Sequence, residues 1–94
     1  MKVVWSDTAL AQLQSIHDYI AQNSEFYAKR TVDRLTNRSK QIGQFPYSGR
    51  KVPEFDTDTV REVLEGQYRI IYEITRDQIN VASVVHSAFN TGWR

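Results

Sequence analysis

The strongest constraint on this chain is a period-two alternation late in its sequence. Tyr68, Ile70, Tyr72 and Ile74 share one face of an extended segment, and Arg69, Ile71 and Glu73 take the other. A helix repeats every 3.6 residues and cannot hold those four apolar side chains in one row, so the segment predicts a strand. A second alternating run, Ile79 to His86, follows after a turn around Asp77, which predicts an antiparallel hairpin. With Asp77-Gln78 as the central turn residues, Ile70 faces Val85, Ile74 faces Val81, and Arg69 stands opposite His86. Both apolar sets then meet on one face, and an Arg/His pair marks the open one.

That hairpin needs a partner layer, and the preceding residues supply it. Lys2 to Trp5 is short and β-branched and reads as an opening strand, after which Ser6 and Asp7 offer N-cap chemistry. Leu10, Leu13, Ile16 and Ile20, flanked by Tyr19, follow helical spacing to about Gln22. Asn23 and Ser24 break that helix and cap a second, whose Ala28, Val32, Leu35 and Ile42 also keep helical spacing up to a stop at Gly43. Phe45 to Thr59 reads as a loop, with Pro46, Ser48-Gly49, Pro53 and the acids Glu54, Asp56 and Asp58. Val60 to Glu65 is a further strand, and a turn at Gly66-Gln67 places Glu62 across from Ile71 on the open face. The predicted order is β-α-α-β-β-β, a helical hairpin packed on one face of a small antiparallel sheet, hence an α+β fold. No repeat or linker divides the chain, so residues 1–94 are expected to form one domain.

Composition narrows the chemistry. The chain has no cysteine and two histidines, which excludes disulfides, thiolate metal sites and a cysteine nucleophile, leaves no legible metal site, and calls for no cofactor. Met1 to Ala11 lacks a signal-peptide pattern and no apolar run is long enough to span a bilayer, so a cytoplasmic protein without membrane attachment is expected. Net charge is +1, a weak source of attraction to nucleic acid. Its distribution is uneven: residues 24–45 carry five basic and two acidic side chains, and residues 46–66 carry three basic and five acidic. Arg30, Arg34 and Arg38 form a basic stripe on the second helix, read either as a solvated face or as a docking strip for an acidic partner.

An ordered set of short motifs resembles the toxins of the ParE/RelE superfamily over nearly the whole chain. It comprises Arg50-Lys51-Val52-Pro53-Glu54, Arg61-Glu62-Val63, Tyr68-Arg69-Ile70-Ile71-Tyr72-Glu73-Ile74 and Val84-Val85-His86-Ser87, preceded by a helical hairpin with Tyr19-Ile20 near the close of its first helix. The resemblance implies the toxin component of a type II toxin-antitoxin module, neutralised by a cognate antitoxin, ParD-like or other, with an acidic disordered C-terminal segment. Operator DNA would be reached only through the toxin-antitoxin complex. ParE-like members poison DNA gyrase, and RelE-like members cut messenger RNA on the ribosome.

Chemistry separates the branches. Metal-free RNA cleavage needs a base, an acid and cations gathered at one phosphate. Glu62, His86 and Arg69 are the catalytic candidates if the protein is an endoribonuclease, or else an ordinary cross-strand group. That set is sparse and the tail Ala88 to Arg94 has no tyrosine, so the gyrase-directed branch is favoured, with the ribosome-dependent ribonuclease as the alternative. For a gyrase poison the tail is the first choice for target contact, through Phe89, Trp93 and Arg94, with Arg61 added. Phe26, Tyr27, Ile71 and Val84 are apolar residues left over from the expected core. With Arg30, Arg34 and Arg38 they form the expected antitoxin surface.

Overall fold

The computed structural model describes residues 1–87. Its elements are β1 (Lys2–Trp5), α1 (Asp7–Ala21), α2 (Glu25–Gln44), a short 3-10 turn (Pro46–Ser48), β2 (Arg50–Lys51), β3 (Val60–Glu65), β4 (Tyr68–Ile74) and β5 (Gln78–His86). Both helices begin on serine caps. Ser6 Oγ accepts from the Ala9 amide at 3.0 Å and Ser24 Oγ from the Tyr27 amide at 3.2 Å, each satisfying an orphan donor of the first turn. The α1–α2 hairpin lies on one face of a five-stranded sheet ordered β1-β5-β4-β3-β2, the α+β architecture expected.

Two features of the sheet depart from expectation. β1 runs parallel to β5, because the helical hairpin carries the chain across to β2 at the opposite edge and the meander then returns it to lie beside β1, so the sheet is mixed. Arg50 and Lys51, read as loop, pair with Glu62 and Arg61 as an edge strand too short to show a period.

The β4–β5 register also corrects the sequence reading. Ile74 pairs with Ile79, and the Thr75 amide bonds the Gln78 carbonyl at 2.9 Å, so Arg76-Asp77 are the central turn residues. A bulge then intervenes, for Tyr72 pairs with Val81 while Ile71 pairs with Ser83, leaving Ala82 unmatched. Beyond it Ile70 faces Val84, Arg69 faces Val85, and Tyr68 faces His86. The bulge switches the inward parity of β5 from odd to even residues. The adjacent Val84-Val85 hides that switch, since either parity presents a valine to the core. The cap of α1 and a side chain within it satisfy the irregular backbone: Ser6 Oγ donates to the Ala82 carbonyl at 3.2 Å, and Gln12 Oε1 accepts from the Val84 amide at 2.8 Å.

The core joins Leu35 and Ile42 of α2 to Val63, Ile70, Tyr72, Ile79, Val81 and Val84 of the sheet. Tyr72 is fully buried and its hydroxyl donates to the Pro46 carbonyl at 2.7 Å and accepts from the Gly49 amide at 3.2 Å, tying the loop after α2 to the sheet. Gly43 does not stop α2, which continues to Gln44. A Cβ there would lie 2.7 Å from the Met1 carbonyl oxygen and 2.9 Å from Val3 Cγ2, so glycine is required by the close approach of β1.

Candidate functional site

The sheet face away from the helices carries an ion cluster. Cross-strand pairing of Glu62 with Ile71, as the alternation predicts, and with Arg50 on the other side sets the carboxylate between two arginines. Glu62 is 1% exposed. Its Oε2 accepts from Arg50 Nε at 2.5 Å, and its Oε1 accepts from Arg69 Nε at 3.0 Å and also from Arg69 Nη2. Both carboxylate oxygens are therefore engaged. Arg69 is itself mostly buried, whereas Arg50 is two-thirds exposed, so the Arg69 side of the cluster is the better shielded from water. Sequence reasoning missed Arg50 because it lies on the unrecognised strand.

The expected catalytic group does not assemble. Arg69 and Glu62 meet, but His86 pairs with Tyr68, whose neighbours in the inward row are Ile70 and Tyr72, and so faces the helix side. There its Nε2 lies 3.2 Å from Gln67 Oε1 and its ring meets the Tyr68 ring edge-on at 5.6 Å. The sheet stands between His86 and the Glu62 carboxylate.

His86 instead lines an apolar groove of about 1510 Å³, where the helical hairpin diverges from the sheet end bearing the β3–β4 turn. Ile16, Tyr19 and Ile20 of α1, Leu35 of α2, Tyr68 and Val84 form much of its wall. Tyr19 is 73% exposed, a large ring with little cover. Burial, reinforced by nearby Tyr19, raises the Tyr68 hydroxyl pKa above its usual value, so this wall stays uncharged near neutrality. The rim is polar, with Gln67, His86, Arg34 and Glu65; Arg34 Nε lies 3.9 Å from Glu65 Oε2. Gly66 shapes that end: its φ of +58° is the conformation a two-residue hairpin needs at its first central position.

The expected antitoxin surface is split. Ile71 and Val84 are 5% and 1% exposed, so they are covered within this chain rather than left over, and only Val84 reaches the groove wall. Phe26 and Tyr27 are exposed and meet edge-on at 5.4 Å. Phe26 and Arg30 line a separate shallow cleft beside His17, while Arg34 belongs to the large groove. Arg38 bonds Gln41 Oε1 at 3.0 Å.

Arg61 is a loop pin rather than a free contact residue. Its guanidinium donates to the Asp58 carbonyl at 2.9 Å, to the Gly49 carbonyl at 3.0 Å and to Asp58 Oδ1 at 2.8 Å, and it lies over the Tyr47 ring at 5.1 Å. Phe89, Trp93 and Arg94 lie outside the described residues. No group of three or more metal-ligating side chains occurs among the described residues, and none of their helices is long and apolar enough to cross a membrane.

A saturated ion cluster on one sheet face and an open apolar groove on the other side mark this small α+β domain. The family model described as "ParE toxin of type II toxin-antitoxin system, parDE" matches residues 3–90, and the chain belongs to that toxin family. It is 34% identical over 88 residues to Toxin RelE2 of Caulobacter vibrioides, covering 93% of this chain and 96% of that one. Its fold matches a chain of the chromosomal ParDE TA system from P. aeruginosa with a TM-score of 0.74, over 92% of this chain and 95% of that one. A second match is the YoeB dimer from Staphylococcus aureus, with a TM-score of 0.61 over 88% and 92%. At 19% and 17% identity these structures speak for the fold alone.

Proposed function

We propose that this toxin acts by gripping a protein target, DNA gyrase, and not by cutting RNA. The observation that carries the reading is the separation of Glu62 from His86. A general base must be able to take a proton and an acid must stand at the same phosphate. Here both oxygens of Glu62 hold arginines, and His86 stands on the other side of the sheet. The family match is to toxins described by the parDE module, the ParE-like branch that the sequence resemblance links to gyrase. The cognate antitoxin then occupies the apolar groove, and toxin made without it is active.

The test is direct. Purified toxin is added to gyrase supercoiling reactions and, separately, to translating ribosomes with a defined transcript. Lost supercoiling with an intact transcript is the expected pattern. Transcript cleavage that disappears in His86→Ala would sink the proposal in favour of the ribonuclease.

A further inference from the structure

We infer that the groove selects a partner segment that sets carboxylates along α2 and a neutral or basic residue beside the β3–β4 turn, with Arg34 as the selecting residue. This rests on the proposed reading that the groove receives the antitoxin. Arg34 and Glu65 meet at the groove rim at 3.9 Å, joining α2 to the end of β3. Arg34 is 61% exposed and Glu65 is 27% exposed, and the contact is long, so an incoming chain displaces it easily.

Charge on the two sides of the rim is opposite. Arg30, which lines the neighbouring cleft, and Arg38 sit about one helical turn before and after Arg34 and extend its basic row along α2 beyond the groove. Arg38 bonds a neutral amide, and Arg30 has no acidic partner among the described residues. The α2 side therefore carries unmatched positive charge, which an acidic chain satisfies. Glu65 does the reverse: its carboxylate repels a segment that is acidic on both flanks and so fixes which way round the segment lies. The apolar wall between them, with Tyr19, Ile20 and Leu35, takes the segment's hydrophobic side chains. In the free toxin Glu65 occupies the position that a partner carboxylate takes on docking.

Affinity for the antitoxin of the same module, measured by calorimetry with full-length toxin, tests this. Arg34→Glu is expected to weaken binding about tenfold or more near 50 mM salt, with the loss shrinking as salt rises. The double variant Arg34→Glu, Glu65→Arg keeps an ion pair between α2 and β3 with its signs exchanged. A recognition role leaves that variant as weak as Arg34→Glu at unchanged Tm. Full recovery of affinity in the double variant, or no loss in Arg34→Glu, overturns the inference. Tyr19→Glu, at an exposed groove position, reads the groove separately. If it leaves affinity intact, the groove is not the docking site and both readings fall. If it weakens binding while the Arg34 variants do not, charge selection alone falls.

Discussion

Arg69 and His86 stand on opposite faces of the sheet, although only one residue of register separates them from being partners. Arg69 lies across from Val85, and His86 lies across from Tyr68. The Ala82 bulge causes this, since one inserted residue exchanges the two faces of everything beyond it. On the proposed gyrase-directed reading, His86→Ala is therefore expected to leave gyrase inhibition within about twofold of the native toxin. It removes an exposed contact with Gln67 and an edge-on ring contact, of a kind worth about 1 kcal/mol. Dose-response in the supercoiling assay measures the effect, and a tenfold or greater loss would contradict a non-catalytic mode of action.

Glu62 is the structural centre of the sheet face away from the helices. Replacing it with Gln keeps the volume but removes the charge that holds Arg50 and Arg69. Breaking a buried pair costs about 3–5 kcal/mol, discounted here because Arg50 reaches water. Glu62→Gln should lose about 2 kcal/mol, and Arg50→Ala under about 1 kcal/mol. Urea unfolding of the two variants checks the order, and equal losses would show that Arg69 is not the dominant partner.

The helices were legible in the sequence because each has a serine cap and a continuous apolar period. Glu62 opposite Ile71 was legible because Gly66-Gln67 admits a single tight turn. Three features were not. The bulge is masked by Val84-Val85, β2 has only two residues, and Gly43 answers to β1, about forty residues away in sequence. Each depends on a long-range contact, and local period carries no record of those. Val84 and Arg34 were expected on an antitoxin surface, but the groove they share required the true register of β5.

Gly49 should not tolerate a side chain. A Cβ there lies 2.4 Å from the Tyr72 hydroxyl and 2.7 Å from the Glu62 carbonyl oxygen, the latter being backbone that cannot swing aside. Gly49→Ala is expected to cost about 2 kcal/mol or more, in the range for overpacking a tight site. Tyr72→Phe should cost about 1–2 kcal/mol, because it strips the Pro46 carbonyl of its donor and the Gly49 amide of its acceptor. In the double variant the two losses should be less than additive, since Phe relieves the closest contact. Strict additivity in thermal unfolding would show that the hydroxyl and residue 49 are not in contact.

Acid should loosen the β2–β3 connection and its edge pairing before the centre of the sheet. Hydrogen bonding and charge from Lys51, followed by Arg61, hold the Asp58 carboxyl below its ordinary pKa of 3.8. A depressed carboxyl contributes stability that is fully present above 3.8 and is lost as pH falls through its lower folded value. The contribution is small because Asp58 is exposed. Hydrogen exchange of the Arg61 and Val52 amides should accelerate, relative to Ile70 and Val81, as pH drops below about 4 after correction for intrinsic rates. In Asp58→Asn the relative acceleration should vanish. Its persistence would assign the acid sensitivity to another carboxylate.

Beside the Ser6 hydroxyl on the Ala82 carbonyl, the bulge is served by one side chain from within α1. Gln12 Oε1 accepts from the buried Val84 amide at 2.8 Å and from Ser83 Oγ at 3.1 Å, which serves the backbone just beyond Ala82. Gln12→Ala leaves that amide without its acceptor, at a cost of about 1–3 kcal/mol. Because α1 and β5 both wall the groove, the loss should also disturb antitoxin binding, whereas Gln14→Ala, on the exposed side of the same helix, should change neither. A glutamate at position 12 separates hydrogen bonding from packing: it can still accept, so it should recover most of the stability lost in Gln12→Ala. If Gln12→Glu unfolds as readily as Gln12→Ala, the amide acceptor is not what holds the bulge, and the register of β5 rests on core packing alone.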